Sequence, residues 1–273
     1  MREVSRQQVV QALLELGVHP GDRLLVHSAV QFLGTPRDRE TYSPGVGMYL
    51  AALQEVLGPT GTLAVPAFNF AFARGEPFDP LTTPSVGMGA FSEYVRQQPG
   101  VLRTSHPLQS LAVMGPLAAE LAMRDTPSAF DSGSAFEGLL HLGFKILLLG
   151  AEVNAVSLVH YSEQRATVPY RYWKQFTGLV HRGDGWQEHT CRMYVRDLEI
   201  NPQLDLHPVQ QRLEQHSRWQ SVGLNYGRLS LCLATDFVAA TDRLLADDPW
   251  ALVANRDSAL DLSLNKSTLN FRG

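Results

Sequence analysis

The stretch KILLLGAEVNAVSLVHYSEQRA, residues 145–166, predicts a buried strand, a glycine turn and a helix in succession. The apolar run 145–153 is bounded by turn signals, which is typical of a strand inside a sheet. Residues 157–166 contain neither Pro nor Gly and can therefore form a helix. His160 and Glu163 would lie on one face of that helix. Because open α/β sheets bind ligands beyond the carboxyl ends of their strands, we expect a functional site here.

The His160–Glu163 pair has three interpretations. An imidazole held by a carboxylate can take a proton from an amine, a hydroxyl or a water, which favours general-base catalysis. The same spacing also occurs on solvated helix faces without any function. A metal site is the third interpretation, because His and carboxylate at this spacing bind metals in helix bundles. No second pair of this kind and no Cys pair accompanies it, so we expect no metal.

The composition favours one large domain with ample core, since 44% of the 273 residues are hydrophobic and 18% are charged. A formal net charge of -4 argues against nucleic acid as the main partner. Cys191 and Cys232 lie too far apart for a metal motif, and they indicate no disulfide framework. Without a signal peptide or a long apolar run, we predict a soluble cytoplasmic protein that does not insert into membranes.

Strands and helices alternate through the first half of the chain. This alternation favours an α/β layered sandwich. We predict helices over 3–17, around 87–98, over 116–124 and over 133–143, strands at 24–26, 106–115 and 145–150, and a helix followed by a strand within 45–70.

The chain becomes more aromatic and β-prone after residue 166. We predict a hairpin that pairs 177–181 with 187–194 around Gly183-Asp184-Gly185. A helix over 209–219, a strand and helix within 225–249, and a polar, frayed end over 254–273 complete this half. We expect a single domain over 1–273, with a core of about 3–166 and α+β additions over about 167–253.

Four short motifs follow one another in a specific order: VHSAV at 26–30, FDPLTTPSVGMG at 78–89, RTSHP at 103–107 and HYSE at 160–163. Over about residues 5–180 this order resembles the aminoglycoside 3-N-acetyltransferase family, which comprises antibiotic N-acetyltransferases that use acetyl-CoA. The resemblance implies the α/β/α sandwich of that family, unrelated to the GNAT acetyltransferases, with α+β additions in the C-terminal third.

The resemblance also implies roles for individual residues. His160 would be the general base on the acceptor amine, with Glu163 beside it and His106 as a second candidate. The coenzyme A side would be formed by His27, Ser28, Ala29 and Val30 and by Arg103, Thr104 and Ser105. Small side chains and backbone amides let a thioester approach, and hydroxyls with a cation suit a pyrophosphate. Plainer alternatives stay open, because His27 and Ser28 can cap a turn and His106 can be structural.

The activity implied is direct transfer of an acetyl group from acetyl-CoA to an amine of a polar small molecule. That acceptor would be an aminoglycoside, an amino sugar or a related amine, and we expect the oxyanion to be held near Ser28–Val30 or by a hydroxyl. Two alternatives stay open: a hydrolase that uses His160 to activate water, and a binding protein without catalysis. Acyl chain length is not predicted, and a homodimer is left open.

Some features depart from the pattern of drug-modifying members of the family. Pro66-Ala67-Phe68 lacks a hydroxyl that those members carry, and the loop over 35–45 is long. We therefore predict a pocket that is not shaped for large aminoglycosides. The aromatic residues near the helix either line a sugar pocket or belong to the core. They are Tyr161, Tyr170, Tyr172 and Trp173.

Overall fold

A computed structural model describes residues 2–37, 41–42, 45–183 and 185–270, with side chains as far as residue 263. The strands are β1 (Glu3–Val4), β2 (Arg23–Ser28), β3 (Thr35–Pro36), β4 (Thr62–Pro66), β5 (Leu102–Arg103), β6 (Leu111–Met114), β7 (Lys145–Leu149), β8 (Arg171–Arg182), β9 (Gly185–Arg196), β10 (Gln220–Leu224) and β11 (Gly227–Leu233). The helices are α1 (Arg6–Glu15), α2 (Gly47–Leu57), α3 (Gly89–Arg96), α4 (Ala118–Ala122), α5 (Ala135–His141), α6 (Val159–Ala166), α7 (His207–Gln215), α8 (Ala234–Asp247) and α9 (Arg256–Asn270).

A mixed seven-stranded sheet with the order β10-β11-β7-β2-β4-β6-β5 forms the centre of the molecule. Strands β7, β2 and β4 run parallel, and the strands outside them are antiparallel to their neighbours. Ser28 pairs with Leu149, so β2 and β7 end side by side at one edge of the sheet. The VHSAV and HYSE motifs therefore meet at the edge where open α/β sheets bind ligands.

Both faces of the sheet are covered by helices, which explains the continuous apolar run of β7. Ile146 and Leu148 face a core formed with α4 to α8, whereas Leu147 and Leu149 face a core formed with α1, α2 and α3. All four side chains are at most 1% exposed. This layering confirms the predicted α/β/α sandwich.

The second half of the chain contributes more to the sheet than the sequence indicates. Strands β10 and β11 join it beside β7, and β10 was not predicted. The predicted hairpin is present but longer, because β8 pairs with β9 over Arg171–Arg182 and Gly185–Arg196. The frayed end is wrong for 256–270, where α9 buries Ala259 against the core. The single domain over 1–273 stays a prediction.

Some predictions fall on residues that are not described. The residues outside the described part of the chain are 38–40 and 43–44 of the long loop, Asp184 of the hairpin turn and 271–273. Within that part, every helix is too short or too polar to cross a lipid bilayer.

Candidate active site

Helix α6 brings His160 and Glu163 together on one face, as predicted. His160 Nδ1 lies 2.6 Å from Glu163 Oε2. The Glu163 side chain is fully buried, whereas 26% of the His160 side chain is exposed. Because an ionised carboxylate only accepts hydrogen bonds, we assign the ring proton of neutral His160 to Nδ1. Nε2 is then the acceptor nitrogen on the opposite side of the ring.

Arg171 is a third member of this cluster that the sequence reasoning missed. Helix α6 ends at Thr167, which adopts the left-handed conformation with a φ of 50°. The chain then reverses, and β8 begins with Arg171 against the helix. Arg171 Nε lies 3.0 Å from Glu163 Oε2 in an ion pair, and Arg171 Nη1 donates to the carbonyl of Tyr194 at 3.2 Å. The guanidinium therefore compensates the buried carboxylate.

The charges of the cluster keep His160 neutral and Glu163 ionised. Burial lowers the pKa of His160, the Arg171 cation lowers it further, and Glu163 opposes both effects. Burial alone would raise the pKa of Glu163, but the hydrogen bond from His160 and the Arg171 charge outweigh it and lower that pKa. At neutral pH the cluster is therefore a neutral imidazole held by a paired carboxylate, which is the form that accepts a proton.

His160 lines a cavity of about 580 Å³ at the carboxyl edge of the sheet. Apart from the ion-paired Arg171, four other lining side chains are at least nine-tenths buried and have a polar atom without a hydrogen-bond partner among the described residues. These atoms are His27 Nε2, Ser92 Oγ, Gln109 Oε1 and Ser157 Oγ. Buried polar atoms without a partner are rare in folded proteins, so this set fits a polar ligand.

The amino end of α3 forms another part of the cavity wall. Gly87 and Gly89 have φ values of 79° and 85°, which favour glycine. A Cβ at Gly89 would lie 3.3 Å from the backbone oxygen of Ser28, so glycine lets the helix approach β2 closely. In the described chain the helix has no capping side chain and no acidic residue in its first turn. Its first amides therefore remain as donors.

The cavity brings together only part of the predicted coenzyme A segment at the end of β2. His27 and Ser28 line it, whereas Ala29 and Val30 are absent from its described lining. The Ala29 amide donates to the carbonyl of Leu149 at 3.0 Å, so it is already engaged. Burial lowers the pKa of His27 to about 3, which keeps this imidazole neutral at physiological pH.

Arg103 lies outside the described lining of the cavity, and its guanidinium contacts protein groups. It donates to Ser110 Oγ at 2.8 Å and to the carbonyl oxygens of Thr83 and Ala67. Only 9% of the residue is exposed, and burial lowers its pKa to about 10. These contacts favour a role in joining the loops around β5 and α3.

Thr104 and Ser105 make similar local contacts. Thr104 Oγ1 accepts a hydrogen bond from the Leu111 amide at 2.8 Å, and Ser105 Oγ donates to Asp125 Oδ1 at 2.9 Å. Neither residue belongs to the described lining of the cavity. Both hydroxyls thus satisfy groups within the fold.

His106 is buried and does not belong to the described lining of the cavity. Nδ1 accepts hydrogen bonds from the amides of Gln109 at 3.1 Å and Leu108 at 3.4 Å. Burial lowers its pKa to about 4, partly opposed by the backbone of Arg192 and Pro127. The geometry favours the structural alternative, in which His106 fixes the turn that carries Gln109 into the cavity wall.

The four aromatic residues near α6 do not belong to the described lining of the cavity. Tyr170 is fully buried and packs against Trp250, with ring centroids 5.4 Å apart. Tyr161, which belongs to α6, is also buried in the core. Tyr172 and Trp173 are exposed on the hairpin. These positions favour core and surface roles over a sugar pocket.

The described residues contain no group of three or more His, Cys, Asp or Glu side chains that could hold a metal ion. The cysteines are free and buried, and burial raises the pKa of Cys191 to about 12. Neither Cys191 nor Cys232 lines the cavity as described.

Comparison with known proteins identifies the family of the chain. The sequence model of the aminoglycoside 3-N-acetyltransferase family matches residues 25–246. The chain belongs to this family. It is 33% identical over 187 residues to aminoglycoside N(3)-acetyltransferase III of Salmonella sp, and the match covers 62% of this chain and 63% of that relative. The match therefore spans a little under two thirds of the relative's length.

Solved structures of family members share the fold. The apoenzyme of aminoglycoside acetyltransferase AAC(3)-IVa is 26% identical, with a TM-score of 0.77 over 96% of this chain and 99% of that chain. The structure of AAC-IIIb as a binary complex with CoASH is 22% identical, with a TM-score of 0.78 over 90% of this chain and 97% of that chain. The sandwich and its additions are thus common to these proteins.

Proposed function

We propose that this chain transfers an acetyl group from acetyl-CoA to an amine of an aminoglycoside or a related amino sugar, with His160 as the general base. Membership of the family supports acetyl transfer, and the complex of AAC-IIIb with CoASH supports coenzyme A as the donor. The single observation behind the catalytic assignment is the 2.6 Å contact between His160 Nδ1 and Glu163 at the wall of a cavity.

In this proposal His160 moves one proton. Acetyl-CoA supplies the thioester when bound. His160 Nε2 accepts a proton from the amine nitrogen as that nitrogen bonds to the acetyl carbon, and it returns the proton to the sulfur when the carbon–sulfur bond breaks. Glu163 fixes the tautomer and stabilises the imidazolium, while Arg171 keeps Glu163 ionised.

The acetyl carbonyl oxygen requires hydrogen-bond donors, and we assign them to two neighbouring features. The Ser28 hydroxyl lines the cavity beside the uncapped first turn of α3. Donors at a helix amino end stabilise negative charge on an oxygen. The Ala29 amide is excluded from this role by its bond to Leu149. His27 then lies on the coenzyme A side, where its Nε2 is without a partner among the described residues.

Direct transfer fits the positions of the cysteines. Both thiols are buried away from the cavity, and burial raises their pKa values, so neither is a nucleophile at neutral pH. The base, the amine and the thioester therefore need to be present together in one complex.

Two assays test the proposed function. Saturating coenzyme A should raise the melting temperature, because a ligand selective for the native state stabilises it. Acetyl-CoA should release free thiol only when an amine is added, measured over a panel of aminoglycosides and amino sugars. Thiol release that is independent of any amine would favour the hydrolase. A melting temperature that coenzyme A does not change, together with no thiol release, would contradict the proposal.

A further inference from the structure

The charge of the cavity wall restricts the acceptor. Among the described residues that line the cavity, none is Asp or Glu, and Arg171 is a permanent cation. Most of the other polar groups are neutral amides and hydroxyls. They belong to Gln31, Gln109 and Asn154 and to Ser28, Ser92 and Ser157.

The carboxylate closest to the base does not compensate for this lack. Glu163 is fully buried behind His160, and both His160 and Arg171 contact its Oε2 atom. A ligand in the cavity therefore meets the imidazole and the guanidinium but not the carboxylate. The negative charge of Glu163 is balanced within the protein by Arg171.

The amino end of helix α3 adds positive potential to the cavity wall. Its first turn lines the cavity through Met88 and Gly89 and contains neither a capping side chain nor an acid in the described chain. Ser92, one turn further on, is 1% exposed, and its hydroxyl has no hydrogen-bond partner among the described residues. A helix amino end with a spare donor suits a neutral hydroxyl, a carboxylate or a phosphate, and it disfavours an ammonium group.

We propose that the acceptor is an amino sugar whose reacting amine is its only cationic group, with a neutral or anionic body. This inference rests on the proposed acetyl transfer at the same cavity. An ammonium group that leaves water needs a carboxylate to pair with, and a polycationic aminoglycoside brings several such groups. The described cavity wall presents amides, hydroxyls and a guanidinium to these ammonium groups, and it presents no carboxylate. The reacting amine itself needs no carboxylate partner, because it must be neutral when it attacks.

The first experiment compares kcat/KM for three acceptors at one pH, one ionic strength and one saturating concentration of acetyl-CoA. The acceptors are glucosamine, glucosamine 6-phosphate and gentamicin. We expect at least one of the two single-amine sugars to exceed gentamicin by about tenfold or more, since like charges brought together weaken binding. Gentamicin acetylated as efficiently as both sugars would overturn the inference and leave the acetyltransferase proposal intact.

A pair of variants tests the electrostatic reason directly. Met193 lines the cavity on β9 and is partly buried at the hairpin. Met193→Asp adds a carboxylate to the wall, and Met193→Asn adds a side chain of the same shape without charge. The ratio of kcat/KM for gentamicin to that for glucosamine should be at least about fivefold higher in the Asp variant than in the Asn variant. Equal ratios in the two variants would overturn the inference.

Failure of the underlying function gives a different result. In that case no amine releases thiol from acetyl-CoA and coenzyme A leaves the melting temperature unchanged, and the inference fails together with the acetyltransferase proposal. Melting curves of both Met193 variants, measured first, show that each is folded before its kinetics are compared.

Discussion

Burial lowers the pKa values of both His160 and His106, but the ring nitrogens of the two histidines contact different groups. His160 Nδ1 contacts the carboxylate of Glu163, and the ring lines the cavity. His106 Nδ1 accepts hydrogen bonds from two backbone amides, and its ring is absent from the described cavity lining. A lowered pKa therefore does not distinguish a base from a structural histidine.

His160 and His106 differ in their access to the cavity and in the group that contacts Nδ1. An orienting carboxylate stabilises the imidazolium that forms when the opposite nitrogen accepts a proton. Backbone amides donate to His106 Nδ1, which would oppose protonation of that nitrogen. His160 lines the cavity and 26% of its side chain is exposed, so it can contact a ligand, whereas His106 is buried and does not belong to the described lining. In the proposed function, the two histidines therefore have different roles.

The largest expected effect is on turnover, and it separates the two histidines. His160→Ala should lower kcat by at least about 100-fold, because loss of a general base costs that much or more. The rise in melting temperature with coenzyme A should persist. His106→Ala, in molecules that remain folded by circular dichroism, should retain kcat within about threefold. Loss of turnover in His106→Ala with near-normal turnover in His160→Ala would reverse the assignment.

Replacing the orienting carboxylate should cost less turnover than removing the base, but it should also reduce stability. Glu163→Gln should lower kcat by about tenfold or more, since the charge that stabilises imidazolium is lost. It also leaves the Arg171 cation buried without its partner, so the free energy of unfolding should fall by roughly 3 kcal/mol. Urea denaturation measures this fall. Glu188→Gln, on the exposed hairpin, is the matched control and should change neither quantity.

If Glu163→Gln retained both full turnover and full stability, the proposed coupling of His160 to Arg171 through Glu163 would be incorrect. If stability fell but turnover did not, Glu163 would be structural only.

A smaller effect concerns stability in acid. The pKa values of His27 and His106 are lowered to about 3 and about 4, so the unfolded chain binds more protons below pH 6.5. Their contribution to stability is complete above the unfolded pKa and is lost as the pH falls towards the folded pKa. The free energy of unfolding should therefore fall by about 1.4 kcal/mol per pH unit for each histidine between pH 6 and 5.

One substitution isolates the contribution of His106 to the pH dependence of stability. His106→Asn keeps an acceptor for the Gln109 amide and removes the titrating imidazole. The slope of the unfolding free energy against pH should therefore decrease by about 1.4 kcal/mol per pH unit, which corresponds to one proton. Equal slopes in His106→Asn and the parent protein would show that His106 is not buried as described.

The part of the site within one helix turn could be predicted from the sequence. The spacing of His160 and Glu163 sets their contact once α6 forms, and the apolar run of β7 indicates a strand buried on both faces. Both features depend on local periodicity, which a sequence shows directly. The family resemblance added the chemistry of the donor and the general base.

Features that depend on side-chain direction or on distant pairing could not be predicted. Arg171 reaches Glu163 because Thr167 ends α6 in a left-handed conformation, and no pattern in the sequence indicates that reversal. Arg103 has the chemistry of a phosphate ligand, but its direction is set by carbonyls from loops that are distant in sequence. The position of β11 beside β7 likewise depends on pairing between strands that are far apart in the sequence, Gly227–Leu233 with Lys145–Leu149.

The central claim is that neutral His160 accepts the proton, and the pH dependence of kcat tests it most directly. Because the pKa of His160 is lowered from its ordinary value of about 6.5, kcat at saturating substrates should fall on the acid side with a midpoint below pH 6.5. In His160→Ala this acid limb should disappear, and the remaining slow reaction should show no dependence on that group. An acid limb with the same midpoint in His160→Ala would contradict the account.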